Sequence, residues 1–384
     1  MENELELFAT TAMGLESVAA SELKKLGYEQ LTVENGKITF PGKLIDISRT
    51  NLWLRTADRI RLKIGSFKAM TFDSLFEQTK ALPWAEFLPA NAAFPVTGKS
   101  HQSQLHSVPD CQAIVKKAIV ESMKQHYATD WFAEDGPMFK IQVALDKDVA
   151  TLSIDTSGEG LHKRGYRQLH NQAPLKETLA SAMILLSRWT PDRPFVDPFC
   201  GSGTLPIEAA MIGQNIAPGF NRSFVSEQWP FFHQKEWEKA REEVEDLANY
   251  QQSLMILGSD IDHQMIELSE HNAAEAGFSG LIDFKQMQVA DFTTSQEHGC
   301  MIGNPPYGER MGDLEQIKQI CRDLGELFRR YETWSFYFIS SFADFESCFG
   351  RKVSKKRKLY NGRIRTDYYQ YFGRKHPFTD NTKR

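Results

Sequence analysis

The order of apolar and polar positions divides the chain into regions of different texture. The run Glu4–Ala9 alternates like a strand, and Ser17–Leu26 places Val18, Leu23 and Leu26 on one helical face with Gly27 as its stop. Glu34-Asn35-Gly36-Lys37, set between Leu31–Val33 and Ile38–Phe40, is a hairpin signal, and a second helix is expected over 42–51. Residues 1–66 therefore predict a small βαββα layer. Beyond them, helical periodicity at Phe72–Ala81 and Cys111–Tyr127 combines with strand alternation at Met138–Leu145 and Val149–Thr156. A short strand is expected at Phe94–Val96, followed by a polar loop, Thr97–Ser107. Residues 67–160 thus predict a second α+β unit, closed by the turn-rich Ser157–Gly160.

From about residue 166 buried strands and helices alternate, as in a doubly wound α/β domain. The expected helices are Leu175–Trp189, Thr204–Ile212, His263–Ala276 and Leu314–Tyr331. The expected strands are Pro194–Phe199, Leu254–Ser259, Ile282–Gln286, Cys300–Gly303 and Trp334–Ile339, with two more runs at Arg357–Tyr360 and Asp367–Phe372. An inserted stretch, Gln214–Gln252, carries the amphipathic helix Glu236–Tyr250 and is expected near the substrate.

Composition narrows the class. With 384 residues, 41% hydrophobic and 25% charged, the chain is ordinary globular protein, not a disordered or collagen-like one. Five single cysteines and no signal peptide suit a reduced, cytoplasmic setting, and no apolar run is long enough to span a membrane. The net charge of −5 speaks against a nucleic-acid partner until its distribution is considered. Six Lys/Arg lie between Arg49 and Lys68 against Asp58 alone, four between Leu161 and Lys176 against none, and ten between Arg351 and Lys375 against Asp367. Such local clusters suit phosphate binding in chosen places.

The chemistry concentrates at four expected strand ends. Asp197-Pro198-Phe199-Cys200-Gly201-Ser202-Gly203-Thr204 is a strand feeding a glycine turn and then a helix, the place where doubly wound sheets bind a cofactor. Asp260 ends the second strand, placed to accept both hydroxyls of a ribose, with Ile261 against an adenine face and Asp262 suited to cap the helix at His263. Asp291 is expected at the end of the third strand, at the adenine edge. Asn304-Pro305-Pro306-Tyr307 follows the fourth. There the Asn304 side-chain oxygen and the Pro305 carbonyl can each accept a hydrogen from one planar –NH₂, aiming its lone pair at an electrophilic methyl. Tyr307 offers a face for a purine taken out of its stack. The dehydrogenase fingerprint GxGxxG is absent. His101 and His106 lack ligand spacing, so no metal is expected. An RNA-binding assembly factor without catalysis remains a rival reading.

These motifs resemble those of class I S-adenosylmethionine-dependent methyltransferases acting on exocyclic amines. Gly14-Leu15-Glu16-Ser17 with Glu22-Leu23, Arg164–Arg167, Ala173–Glu177 and Lys358–Gly362 narrow the resemblance to THUMP-domain RNA methyltransferases, in the bacterial group related to 23S rRNA guanine-N2 methyltransferases. The resemblance implies an α/β fold: a Rossmann-like methyltransferase domain over 161–384, with a mostly parallel seven-stranded sheet. Two small α+β units precede it, ferredoxin-like over 1–66 and THUMP, an RNA-docking unit, over 67–160. It implies S-adenosyl-L-methionine as cofactor, with methionine-side contacts around Pro174, Leu175, Lys176 and Glu177 and around Gly201–Gly203. The ribose falls at Asp260 and the adenine at Asp291 and Phe292. The partner implied is RNA, 23S rRNA or a ribosome-assembly intermediate; transfer RNA and adenine-N6 methylation of DNA or RNA stay open.

Overall fold

The computed structural model describes residues 4–167, 175–232, 234–306, 314–362 and 364–374. They form two compact units. One takes in the first strand, Ala19–Leu161 and Arg222–Glu243; the other takes in Ala12–Val18, His162–Asn221 and the chain from Val244 on.

The first unit is built on one sheet. Its strands are β1 (Leu5–Thr11), β2 (Thr32–Glu34), β3 (Lys37–Gly42), β4 (Ala57–Lys68), β5 (Val96–His101), β6 (Ile141–Asp146) and β7 (Val149–Asp155), in the order β2-β3-β1-β4-β7-β6-β5. Side chains alternate across a strand, so one face is apolar: Leu7, Ala9, Ile38, Phe40, Ile60, Leu62, Ile141, Val143, Leu152 and Ile154 are all buried. The helices Leu44–Trp53 and Val108–Tyr127 supply further buried side chains, among them Ile47, Leu52, Val115 and Ile119.

Two strands depart from expectation. β4 runs for twelve residues through the basic cluster and across position 66, pairing with β1 on one side and β7 on the other. β5 takes in Thr97–His101 of the segment expected as a polar loop. It lies parallel to β6 at the sheet edge, where backbone pairing needs no apolar side chains.

The middle of the inserted stretch also belongs to this unit. Trp229 stacks on Phe139 with ring centroids 4.8 Å apart, and its indole nitrogen donates to the Met138 carbonyl at 2.9 Å. Ser226 donates to the Thr156 carbonyl at 2.7 Å, and Arg49 grips Glu243 through two bonds of 2.6 and 2.7 Å. The stretch expected beside the substrate is thus, over Arg222–Glu243, part of the N-terminal unit's own packing.

The second unit carries β8 (Phe195–Asp197), β9 (Ile256–Asp260), β10 (Asp283–Gln286), β11 (Cys300–Gly303), β12 (Ser335–Ser340), β13 (Lys355–Asn361) and β14 (Ile364–Tyr371). Their order is β10-β9-β8-β11-β12-β14-β13. The first five are mutually parallel, and β14 alone runs against its neighbours on both sides. Every residue of β12, Ser-Phe-Tyr-Phe-Ile-Ser, is buried, as a parallel strand covered on both faces requires. Phe336 and Phe338 join one core layer, with Tyr369 and Tyr371; Tyr337 and Ile339 join the other, with Tyr368.

Two motifs far apart in sequence meet in this unit. Arg357 donates to the Gly14 carbonyl and to Ser17 Oγ, both at 2.7 Å, while Leu15 and Leu359 share one core. Gly14 has φ +91°, and a Cβ there would stand 2.8 Å from the Lys358 carbonyl oxygen, so this close approach demands glycine.

Candidate active site

Chain order reverses in the sheet between β8 and β11, and open α/β sheets bind ligands at such a switch point, beyond the carboxyl ends of the strands. A cavity of about 600 Å³ lies there. Its walls come from the loop after β8, the tip of β9, the turn after β10 and the end of β11.

The loop after β8 is held by its own backbone. Asp197 accepts from the Phe199 amide at 3.0 Å, the Cys200 amide donates to the Ser259 carbonyl at 2.9 Å, and the Gly203 amide to the Cys200 carbonyl at 2.8 Å. Gly203 caps the helix Thr204–Gly213 at φ +82°, and a Cβ there would lie 3.0 Å from Ser269 Cβ. Asp197, Pro198, Phe199, Cys200, Gly201, Ser202 and Thr204 line the cavity; Gly203 sits behind them and shapes the turn.

Asp260 ties this loop to the next strand. One carboxylate oxygen accepts from the Gly201 amide and the other from the Asp262 amide, both at 3.0 Å. Each oxygen keeps a second lone pair for a hydroxyl in the cavity. Ile261, 60% exposed, lines the cavity beside it. Asp262 lies outside the lining and accepts from the Gln264 amide at 2.9 Å, an N-cap for the helix His263–Glu275.

Electrostatics single out Asp197. It is buried, and desolvation pushes its carboxyl well above the usual range; Asp260 adds to the rise and the Phe199 amide opposes it. Among the described residues no basic side chain forms an ion pair with it. A cationic ligand group would complete the pocket.

The third strand ends where expected, but Asp291 is not at its tip. β10 stops at Gln286, and a single 3₁₀ turn, Val289–Asp291, follows. Met287, Gln288, Val289 and Ala290 line the cavity. Asp291 is exposed at the end of that turn and is not part of the lining, while Phe292 is a core residue, edge-on to Trp334 at 5.6 Å. At the fourth strand, Asn304 and Pro306 line the cavity and Pro305 is buried between them. Tyr307 lies outside the described residues.

Of the segment 174–177, Leu175 reaches the cavity and Pro174 lies outside the described residues. Lys176 is exposed at the N-cap of the helix Glu177–Leu185. Glu177 is buried, its carboxyl raised by desolvation, and pairs with Arg167 at 3.3 Å. Arg167 also donates to the Leu175 carbonyl and to Thr204 Oγ1, so it bridges two lining residues. Behind it, Arg164 and Glu208 form a fully buried pair with two contacts of 3.2 Å, and Ser181 and Tyr166 donate to the same carboxylate. Burial works to lower Arg164, but the Glu208 carboxylate outweighs it and keeps the guanidinium charged.

One wall was not foreseen. Gln316, Gln319, Ile320 and Asp323 face the cavity from the helix Leu314–Arg330. Their spacing marks one helical face beside the buried face of Ile317, Cys321 and Leu324, a pattern present in the sequence but silent about a ligand.

Comparison with known proteins agrees with this architecture. The model of the RMKL-like methyltransferase domain matches residues 164–370. The chain belongs to the RMKL-like methyltransferases. An RlmL ferredoxin-like domain is matched over 6–61 and a THUMP domain over 69–155. A relative from Bacillus subtilis (strain 168), named "Putative RNA methyltransferase YpsC", is 57% identical over 97% of each chain. A structure described as "SMU.472, a putative methyltransferase complexed with SAH" is 46% identical, with a TM-score of 0.93 over 98% of this chain and 100% of the other. A structure from Listeria monocytogenes str. 4b F2365, described as a "predicted N6-adenine-specific DNA methylase", is 55% identical, with a TM-score of 0.93 over 97% of each chain. Like the two domains before it, the methyltransferase sheet of this family member has the class expected from its motifs.

Proposed function

We propose that this RMKL-like methyltransferase transfers a methyl group from S-adenosyl-L-methionine to the exocyclic N2 amine of a guanine in RNA, with 23S rRNA or its assembly intermediate as substrate. The observation that carries the reading is that Asn304 and Pro306 line the same cavity as the Gly201 loop and Asp260. A SAH complex of a relative 46% identical supports the cofactor, and the buried, ion-pair-free carboxyl of Asp197 suits a ligand with cationic groups. The name carried by the Bacillus subtilis relative and the THUMP match support RNA as the substrate.

When bound, the cofactor supplies a methyl group made electrophilic by its positive sulfur. Asp260 holds the ribose by accepting its hydroxyl hydrogens, and the Gly201–Gly203 turn lets backbone approach the amino-acid end. Ile261 and the Met287–Ala290 turn enclose the adenine. Asn304 Oδ1 and the Pro305 carbonyl accept the two amine hydrogens and turn the nitrogen lone pair toward the methyl. Tyr307, next in the motif, is the residue whose ring would receive the base. As the N–C bond forms the methyl–sulfur bond breaks, leaving S-adenosyl-L-homocysteine; the amine proton becomes acidic only then and passes to water, so no strong base is required.

The test uses total RNA from a strain lacking the gene, the purified protein and methyl-labelled cofactor, with the labelled nucleoside identified by mass. N2-methylguanosine in large-subunit RNA is expected, and Asn304→Ala is expected to abolish transfer while retaining cofactor binding. The same nucleoside in transfer RNA would change the substrate. N6-methyladenosine would change the base, to the one named for the Listeria monocytogenes protein. Full activity of Asn304→Ala would overturn the mechanism.

A further inference from the structure

Ten basic residues lie between Arg351 and Lys375, and the fold sorts them. Arg357 is held by Gly14 and Ser17, Arg374 meets Glu332 at 2.5 Å, and Lys356 lies 3.6 Å from Asp367. Lys358 and Arg365 are exposed and form no ion pair among the described residues. Both stand on the hairpin of β13 and β14, at one side of the methyltransferase sheet.

Register fixes where this hairpin points. β14 runs against β12, so its first residues lie at the carboxyl edge of the parallel strands, the edge that holds the cofactor cavity. β12 ends at Ser340, opposite Asp367, whereas β14 begins at Ile364, opposite Asn361 of β13. The hairpin therefore outruns β12 by three residues, about 10 Å. Near its end Tyr360 and Arg365 stand directly opposite each other.

Side-chain alternation fixes the face they occupy. Tyr369 and Tyr371 belong to the core layer that packs against the helix Leu314–Arg330. In steps of two from Tyr369 come Asp367 and Arg365, and the residues opposite them, Lys358 and Tyr360, share that face. Lys356 marks the same face, with its ammonium 5.5 Å over the Tyr369 ring. The helix Leu314–Arg330 also lends Gln316, Gln319 and Asp323 to the cavity, so hairpin end and cavity lie on one face and one edge of the sheet. Gly303 is level with Phe338 and Phe338 with Tyr369, which brings Asn304 level with Tyr368. From there Arg365 is three residues further along and two strands across, about 14 Å in a flat sheet. One nucleotide and a long side chain bridge that gap.

We propose that the hairpin end positions the substrate by holding the nucleotide next to the target base, with Arg365 on its phosphate and the Tyr360 ring against its base. A guanidinium matches a phosphate through two parallel N–H donors. A base lifted out of its stack leaves its neighbour with an uncovered face, and an aromatic ring beside the cavity replaces the lost stacking. Every base has such a face, so the contact places the strand without reading its sequence. The proposal rests on the reading of RNA as substrate. It adds a contact within the methyltransferase unit, separate from the Asn304 motif that holds the amine.

Methyl transfer to total RNA from a strain lacking the gene is measured for the native full chain, Arg365→Gln, Tyr360→Ala and Tyr360→Phe across a range of salt concentrations. Arg330→Gln is the control, the same charge change at an exposed position in the last turn of the helix Leu314–Arg330, where the chain leads into the opposite edge of the sheet. Arg365→Gln should raise KM for RNA and make the slope of log kcat/KM against log salt shallower by about 0.7, the loss of one phosphate contact. Tyr360→Ala should raise KM by about 5- to 150-fold with the native slope. Tyr360→Phe should keep the native KM, because only the ring is used. In all variants kcat at saturating RNA and affinity for S-adenosyl-L-homocysteine should stay native. Native KM in either Arg365→Gln or Tyr360→Ala would overturn the site while leaving the methyltransferase reading intact. Equal weakening by Arg330→Gln would overturn it by assigning the effect to net charge, and loss of cofactor affinity in the hairpin variants by assigning it to folding. A native protein that methylates no RNA would overturn the substrate reading and the site together.

Discussion

Asp260→Asn isolates the carboxylate that joins the cofactor loop to the second strand of the methyltransferase sheet. In the native protein its two oxygens accept from the Gly201 and Asp262 amides, each at 3.0 Å. The amide side chain keeps one oxygen and turns an –NH₂ toward a backbone N–H, donor against donor. A hydrogen bond to a charged group contributes about 1.5–3 kcal/mol. If the loop or the ribose loses one such bond, cofactor affinity should fall by about 10- to 150-fold. Titration calorimetry with S-adenosyl-L-methionine and with S-adenosyl-L-homocysteine measures this directly, and amide hydrogen exchange at Gly201 shows whether the loop has loosened. Asp262→Ala is the matched control. It removes a helix cap, so stability should drop by about 0.5–2 kcal/mol with little change in affinity. Affinities within twofold of native for Asp260→Asn, or equal losses for both variants, would refute the assignment of Asp260 to the ribose.

Three other outcomes are expected. Because burial raises the Asp197 carboxyl above its ordinary value of 3.8, the folded state keeps this proton longer than the unfolded chain. Its contribution is complete below that value and is lost as pH rises toward the raised one, by no more than about 1.4 kcal/mol per pH unit for one proton. Urea unfolding of ligand-free protein should show this fall, and Asp197→Asn should flatten it; an unchanged profile would remove Asp197 as its source. Glu208→Leu takes the carboxylate away from the buried Arg164 guanidinium and should cost about 3–5 kcal/mol, while Arg164→Met with Glu208→Leu should recover most of it. Simple addition of the two single losses in denaturant unfolding would contradict a coupled pair. Cys200 is buried and its thiol is pushed up by desolvation and the neighbouring Asp197 and Asp260, and Cys300 is pushed up to about 12. Neither should react with iodoacetamide at neutral pH, and Cys200→Ala should keep methyl transfer; rapid labelling by mass spectrometry would contradict this.

The methyltransferase half was legible because its strands are short apolar runs that end in chemically distinctive residues. Asp197, Gly201, Asp260 and Asn304 stand at strand tips or in the loop that follows, and a parallel sheet gathers such tips on one edge. The strand β4 was harder, although Arg59-Ile60-Arg61-Leu62-Lys63-Ile64 alternates perfectly. Its charges drew attention as a cluster, and only the buried Ile60 and Leu62 opposite them reveal a two-faced strand. β5 carries Thr97, Gly98, Lys99 and Ser100, which have no apolar period at all; its partner β6 makes it a strand. Asp291 was expected at the end of the third strand, and Phe292 beside it only from the resemblance. A 3₁₀ turn, which rotates side chains differently from an extended segment, set Met287–Ala290 against the cavity instead.

By itself the sequence determined which residue types could carry the chemistry and in what order the chain delivers them. Periodicity and turn residues are local properties, so they survive being read one window at a time. Tertiary structure decided everything that depends on distance between remote segments. It joined the two small N-terminal units through one strand, built Arg222–Glu243 into their packing, and brought Gly14 against Lys358. It also left Arg61 3.9 Å from Asp155, because Arg59 takes the same carboxylate oxygen at 2.6 Å. A linear pattern can count charges, but which of them find partners is settled only by where the strands cross.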